Sequence, residues 1–196
     1  MSKIKTVGIV GTGVIGTGWI IRNLAHNKIV HAYDQNKNLK NYVLKEIKRT
    51  SKSIKKLFGK KILIKNLKFF NSLEKALSNV DFVQESVLEN YKVKTDLIQK
   101  ISKYVKSNVI ISSSSSGLLP SKIFSKSKNP QRGIIGHPFN PAYLLPAVEI
   151  VPGKKTTRKF LSDANKYYKS ISMRPIMLKK ELPGYLSDRL QEALWR

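Results

Sequence analysis

The sequence predicts an α/β fold in which a mostly parallel sheet is covered by helices on both faces. Three observations carry that expectation. Short apolar runs of strand length alternate with longer segments whose apolar residues recur at helical spacing, the order expected of βα units. A glycine cluster, Gly11 to Gly16, sits between the first such run and the first helix-length segment. The chain has 196 residues, 41% of them hydrophobic and 9% aromatic, which is enough for one domain with its own core and unlike the composition of a disordered chain.

The first predicted strand, Lys5 to Val10, runs into the glycine turn and then into a helix over Val14 to Asn27. Ile29 to Asp34 reads as a second strand that ends on an acid. Across Leu39 to Phe58, Leu39, Val43, Ile47, Ile54, Leu57 and Phe58 fall near one helical face, with Lys40, Lys45, Lys48, Lys52 and Lys55 elsewhere. That pattern predicts an amphipathic helix with a solvated basic face. Further βα units follow: a strand near Lys68 to Phe70, a helix from Ser72, a strand Phe82 to Glu85, a helix Tyr91 to Val105 and a strand Val109 to Ser112. After the serine run come a short helix from Pro120, strands near Gly133 to Gly136 and Ala147 to Val151, a helix Thr157 to Ser170 and a strand Arg174 to Leu178. A last helix begins after Pro183-Gly184. There is no internal repeat, and strand order is not encoded in any of these signals.

Composition removes several functions. With no Cys, the chain has no disulfide scaffold, no Cys-ligated zinc and no Cys nucleophile. The three His have no metal-ligand spacing, and no G-x-S-x-G elbow supplies a hydrolase nucleophile. Formal charge is +25, from 37 Lys and Arg against 12 Asp and Glu, yet only seven of the basic residues are Arg. Lys accompanied by abundant Ile and Asn is accounted for by AT-rich codons, and Arg, the bidentate reader of bases and phosphates, is scarce. The reading is therefore no nucleic-acid partner. The uncharged stretch Thr6 to Ile21 is too short to span a bilayer. Lys3 and Lys5 ahead of it imitate a signal peptide, but Thr12, Thr17 and repeated Gly interrupt the apolar run, and Trp19 and Arg22 do not suit a small-residue cleavage site. The expectation is a cytoplasmic protein with no membrane segment.

Gly11-Thr12-Gly13-Val14-Ile15-Gly16 is a G-x-G-x-x-G placed after a strand and before a helix. The first Gly permits a tight turn, the second lets main chain approach a pyrophosphate, and the third lets helix pack closely on strand, while free N–H groups at the helix start attract the anion. Asp34 closes the next strand, where a carboxylate accepts both ribose hydroxyls of a dinucleotide and repels a 2′-phosphate. The pair predicts a Rossmann-type domain that binds NAD rather than NADP, through Gly11, Gly13, Val14, Ile15, Gly16 and Asp34.

The second constellation is Gly136-His137-Pro138-Phe139-Asn140-Pro141, followed by Glu149 on the next apolar run. A hairpin would bring Glu149 beside His137, orienting the ring and stabilising its protonated form, which is what a general base requires. His26 and His31 have no acid at useful spacing and read as structural, and Trp19 reads as core. The run Ser112 to Ser116 looks like a linker by composition, but it follows an apolar strand, and open α/β sheets bind ligands at the carboxyl ends of strands.

Taken together, Gly11 to Gly16 with Asp34, the serine run ending Ser116-Gly117-Leu118, His137 to Pro141 with Glu149, and Pro183-Gly184-Tyr185-Leu186-Ser187-Asp188-Arg189-Leu190 resemble the 3-hydroxyacyl-CoA dehydrogenase family in order and spacing. The likeness runs over essentially the whole chain. Within that family, Gln84 to Val87, Ser116 to Ser121, Gly136 to Glu149 and Glu192 to Arg196 are most similar to the carnitine-oxidising branch. The acyl-CoA branch usually has Phe where Pro138 follows His137, and Asn where this chain has Asp188.

The resemblance implies roles. His137 would remove the proton of a substrate 3-hydroxyl, Glu149 would orient and stabilise it, and Ser116 would hydrogen-bond the reacting oxygen. Asn140, Glu89 and Lys94 match cofactor-contacting positions. Ser116, Asn140 and Asp188 would meet the small-molecule substrate, with Asp188 helping to hold a quaternary ammonium. By proximity in sequence alone Phe139 and Tyr143 are candidates for an aromatic face, the other reading of both being packing. Family members continue past Arg196 into a helical domain that forms a homodimer and closes the cleft, so the expected division is an NAD-binding domain over 1–183 and the start of a truncated helical domain over 184–196. Leu186, Leu190, Ala193 and Leu194 give that last helix an apolar side. Three uses of the scaffold stay open: oxidation of carnitine, oxidation of a 3-hydroxyacyl-CoA whose phosphates meet the basic helix from Leu39, and a non-catalytic NAD-binding or structural role.

Overall fold

The computed structural model describes residues 4–196, so Lys3 lies outside the described residues. Eight strands form one sheet: β1 (Thr6–Val10), β2 (Ile29–Tyr33), β3 (Leu67–Phe70), β4 (Phe82–Glu85), β5 (Ile110–Ser113), β6 (Gly133–Pro138), β7 (Ala147–Pro152) and β8 (Arg174–Met177). Their order across the sheet is β3-β2-β1-β4-β5-β6-β7-β8. All neighbours are parallel except β6 and β7, which pair antiparallel. The connections are α1 (Val14–Ala25), α2 (Leu39–Phe58), α3 (Leu73–Leu77), α4 (Tyr91–Tyr104), α5 (Pro120–Ile123) and α6 (Arg158–Ser170), with α7 (Ser187–Trp195) after the last strand.

The sheet is buried on both faces, which is why its strands read as apolar runs rather than alternations. One core joins Trp19, Ile20 and Leu24 of α1, Val43, Ile47 and Ile54 of α2, and Ala164, Tyr167 and Tyr168 of α6. The other joins Ala76 and Leu77 of α3, Ile98 and Ile101 of α4, and Ile123 of α5. Each fully buried side chain of Val or Ile size stabilises by roughly 1.5–3 kcal/mol. Leu57 departs from the expected buried face of α2, at 50% exposed, while Phe58 beside it packs on the core just before the C-cap at Gly59 (φ +63).

Helix starts are set by local chemistry. Ser72 Oγ accepts from Lys75 N–H to begin α3, and Asn90 Oδ1 accepts from Val93 N–H to begin α4. The start of α1, at Gly13, has no side-chain cap. Strand order reverses between β1, whose chain runs on to β2 on one side, and β4, which returns on the other. Ligands in open sheets bind at that reversal, beyond the carboxyl ends of the strands. No helix among the described residues is long and apolar enough to cross a membrane, and no cluster of three or more His, Asp or Glu among them could hold a metal.

Candidate active site

At the end of β1 the chain turns through Gly11 at φ +88, a conformation that side chains disfavour, and a Cβ there would also lie 2.6 Å from Ser86 O. Gly16 lies so close under this turn that a Cβ would overlap Gly11 O. At Gly13 a Cβ would meet nothing within 4 Å. The uncapped N–H groups of α1 therefore open onto free space, the arrangement that suits an anion. Val14 is exposed at the first turn, Ile15 is half-buried, and Asp34 follows β2 directly. Its carboxylate accepts from Thr12 N–H at 2.6 Å, Thr12 Oγ1 at 3.2 Å and Asn36 N–H at 2.8 Å, so the acid is held against the glycine turn. A cavity of about 760 Å³ runs along Gly11, Gly13, Tyr33 and Asp34. An open helix start, a glycine with room in front of it and an acid at the end of β2 fit a dinucleotide.

The second region depends on side chains. The antiparallel register sets His137 opposite Glu149, and adjacent cross-strand residues share a face. His137 Nδ1 and Glu149 Oε2 are 2.8 Å apart. Because a carboxylate only accepts, Nδ1 carries the proton, and in the neutral ring Nε2 keeps its lone pair. The Glu149 side chain is fully buried. Its Oε1 accepts from the N–H groups of Leu186 (2.9 Å) and Ser187 (3.0 Å), and its Oε2 also accepts from Ser187 Oγ at 2.6 Å. Burial alone would raise this carboxyl, but the hydrogen bonds from His137, Ser187 and the Leu186 and Ser187 main chain outweigh it and hold the group below its ordinary range.

Glu89 is held in a similar way. Its Oε1 accepts from Ser115 Oγ at 2.5 Å, Ser116 N–H at 3.0 Å and Gly117 N–H at 3.3 Å, so it fixes the turn that presents Ser116. Burial pushes its carboxyl up, and Ser115, Lys94 and these N–H groups bring it below the usual value. Lys94, matched by resemblance to a cofactor-contacting position, lines neither the glycine-side cavity nor the one beside His137. It is 1% exposed, with Nζ 2.8 Å from Glu85 Oε1, 3.1 Å from Val87 O and 3.4 Å from Glu89 Oε2. Glu85 is buried too and accepts from Ser113 Oγ at 2.5 Å, and its Oε1 accepts from Val87 N–H. Lys94 thus stands behind Glu89, one contact removed from the cleft.

A cavity of about 680 Å³ brings together Glu89, Ser116, His137, Asn140, Glu149 and Asp188. It meets the glycine-side cavity at Ser86 and Val87, which line both. Phe139 lines it as well, but Tyr143 does not; that ring packs on the core beside α1 and α2, with its hydroxyl 3.5 Å from Arg49 Nη2. No Lys or Arg among the described residues lines this cavity, in a chain with 37 of them. Asp188 is raised above its ordinary range by burial, against the opposing pull of His137 and with the help of the Glu149 and Glu89 charges. Leu190 and Leu194 of α7 form part of the apolar wall and remain largely exposed, as do Leu186 and Trp195.

Several supports were not visible beforehand. The roles of Glu85 and Ser187 arise from contacts between distant segments. Gln84 joins Tyr168 to Ser114, whose Oγ also meets Trp19 Nε1 and Ser86 Oγ in the cleft wall. Gly136 was the one local signal, since a Cβ there would overlap the Tyr168 hydroxyl. Arg22, buried and brought down to about 10 by desolvation, donates to Ala142 O and Leu145 O and so pins the loop that carries Asn140. His26 bonds Arg22 O and Ser172, and His31 bonds Ala76 O, both in supporting positions.

The family described as 3-hydroxyacyl-CoA dehydrogenase, NAD binding domain, matches residues 6–182. The chain is 42% identical over 194 residues to the L-carnitine dehydrogenase of Oceanobacillus iheyensis, covering 98% of this chain and 63% of that one. It is 42% identical over 197 residues to the L-carnitine dehydrogenase of Pseudomonas putida, covering 100% and 61%. The chain thus spans less than two thirds of the length of these curated relatives. Among solved structures, an NAD-dependent dismutase, 5-formyl-3-hydroxy-2-methylpyridine 4-carboxylic acid 5-dehydrogenase, superimposes with a TM-score of 0.91 at 25% identity, over 99% of this chain and 63% of that one. An eight-stranded, mostly parallel sheet, a glycine cradle with its acid, and a match over residues 6–182 together establish that the chain belongs to the NAD-binding domain of the 3-hydroxyacyl-CoA dehydrogenase family.

Proposed function

We propose that this chain carries the cofactor site and the general base of an NAD-dependent dehydrogenase that oxidises the 3-hydroxyl of L-carnitine to 3-dehydrocarnitine. The observation that carries the reading is the charge of the His137 cavity: Glu89, Glu149 and Asp188 line it without a single Lys or Arg among the described residues. In a chain of net charge +25 such a cavity favours a cationic head group over an anionic one. The similarity to the two bacterial L-carnitine dehydrogenases supports the same substrate.

The glycine turn from Gly11 to Gly16 and the open start of α1 would hold the pyrophosphate of NAD, Asp34 its ribose, and Glu89 and Asn140 the end nearer the base. NAD, when bound, supplies the hydride acceptor. His137 takes the hydroxyl proton on Nε2 as the carbon is oxidised, while Glu149 holds Nδ1–H and stabilises the imidazolium that forms. The Ser116 hydroxyl donates to the reacting oxygen, and Glu89, backed by Lys94, holds the Ser116 turn in place. Asp188 and the Phe139 face attract the trimethylammonium group.

A second reading, a 3-hydroxyacyl-CoA substrate, is favoured by the basic outer face of α2, where Lys45, Lys48, Lys52 and Lys55 are exposed. None of these lysines lines the His137 cavity. The test is the initial rate of NADH formation with L-carnitine and with 3-hydroxybutyryl-CoA, beside a titration of NAD binding. Turnover of L-carnitine alone is expected. Turnover of the CoA ester alone would replace the substrate assignment, and NAD binding without turnover of either would leave the chain as a cofactor-binding unit.

A further inference from the structure

Glu149 serves two neighbours at once. It is the acceptor that orients His137, and it is also the acceptor at the start of α7, where the N–H groups of Leu186 and Ser187 meet Oε1. The Ser187 hydroxyl adds a fourth donor, and it falls on Oε2, the same oxygen that holds His137 Nδ1. Two donors, at 2.6 and 2.8 Å, thus compete for one carboxylate oxygen that is shut off from water. In such a setting each further hydrogen bond to a carboxylate withdraws charge from it and weakens what is left for the imidazolium.

We propose that Ser187 is a positioning residue that tunes the basicity of His137 through Glu149. The inference rests on the general-base role given to His137 above. By sharing Oε2, Ser187 limits how strongly Glu149 holds the protonated ring, so the imidazole stays a proton acceptor to lower pH than an undivided His–Glu pair would allow. The same hydroxyl ties the first turn of α7, which carries Asp188 into the substrate cavity, to the carboxylate behind the base. The other groups facing His137 are Asp188 from α7, Glu89 from the turn after β4, and the rings of Tyr185 and Phe139, with centroids at 5.8 and 6.2 Å. None of these donates to Glu149, so Ser187 is the side chain, besides His137 itself, through which the carboxylate is adjusted.

The experiment is an NMR titration of the His137 ring in the full chain, its resonance identified by its loss in His137→Gln, for wild type, Ser187→Ala, Ser187→Cys and Ser187→Thr. Removing the hydroxyl in Ser187→Ala is expected to move the ring titration to higher pH. Ser187→Thr should hold the wild-type position and Ser187→Cys, a weaker donor of similar size, should fall between. Where turnover is measurable, kcat/KM of Ser187→Ala at neutral pH falls by about fivefold, the factor for one hydrogen bond, and recovers as pH is raised. A ring titration unchanged in the Ala and Cys variants would overturn the proposal and leave Ser187 as a helix-start residue only. Because the titration needs no substrate, failure of L-carnitine as a substrate would leave this result standing by itself.

Discussion

The glycine cradle and the His137 cavity lie side by side beyond β1 and β4, yet they are built by opposite means. In the cradle the chemistry belongs to the main chain: a turn at Gly11, an open helix start at Gly13 and a close approach at Gly16, with Asp34 as the one side chain of consequence. In the cavity the chemistry belongs to side chains drawn from the turns after β4 and β5, from β6, β7 and α7, with Glu89 and Glu149 each held by several donors. The first region is defined by what must be missing from a position, and the second by which functional group must be present. Anchoring of the pyrophosphate and ribose at the cradle and proton transfer at His137 should therefore fail independently, whereas Glu89 and Asn140 bear on both regions.

The sharpest way to separate them is His137→Gln. Loss of the proposed general base should lower turnover by about 10²–10⁴ while NAD affinity, titrated on the same preparation, is retained. A parallel loss of cofactor affinity would show that the cavity and the cradle are one unit. Gly16→Ala probes the other region. A helix interior normally favours Ala over Gly, so a net loss of about 1–3 kcal/mol in denaturant unfolding, with weakened NAD binding, would measure the overlap with Gly11 O. Unchanged stability would mean that the main chain yields there at no cost. The smallest expected effect comes from Asp188→Asn, which should raise KM for L-carnitine by about two- to fivefold and leave an uncharged 3-hydroxy acid unaffected. Equal changes for both substrates would remove Asp188 from cation recognition.

Legibility in the sequence follows the same divide. The cradle is read from six consecutive residues and one acid because Gly11 and Gly16 answer to local backbone needs and Gly13 keeps the helix start clear. The His137–Glu149 pair is nearly as legible, since both residues sit on one short hairpin whose strands are apolar. What stayed hidden depends on contacts across the sheet. Lys94 is singled out by the resemblance alone, as a cofactor-contacting position, and only the packing of α4 on the sheet puts its ammonium between Glu85 and Glu89. Ser187 gives no signal of its own, because its partner lies 38 positions earlier in the chain. Tyr143 follows the HPFNP segment closely enough to be counted with Phe139, yet the loop turns it onto the core instead of the cleft. Strand order, which creates the meeting of the two cavities, has no local trace at all.

The antiparallel pairing of β6 with β7 carries a consequence for how such a domain diversifies. His137 and Glu149 meet because they are opposite one another in register, and the connection from Phe139 to Pro146 lies outside the ladder apart from one main-chain bond between Phe139 and Ala147. That connection is itself anchored, since Ala142 is buried and Arg22 donates to Ala142 O and Leu145 O, so residues inserted there would displace Asn140 while leaving the His137–Glu149 register in place. A single residue inserted within either strand turns one member of the pair to the opposite face of the sheet. Changes of length within β6 or β7 should therefore be tolerated least, because they break the register that sets His137 against Glu149.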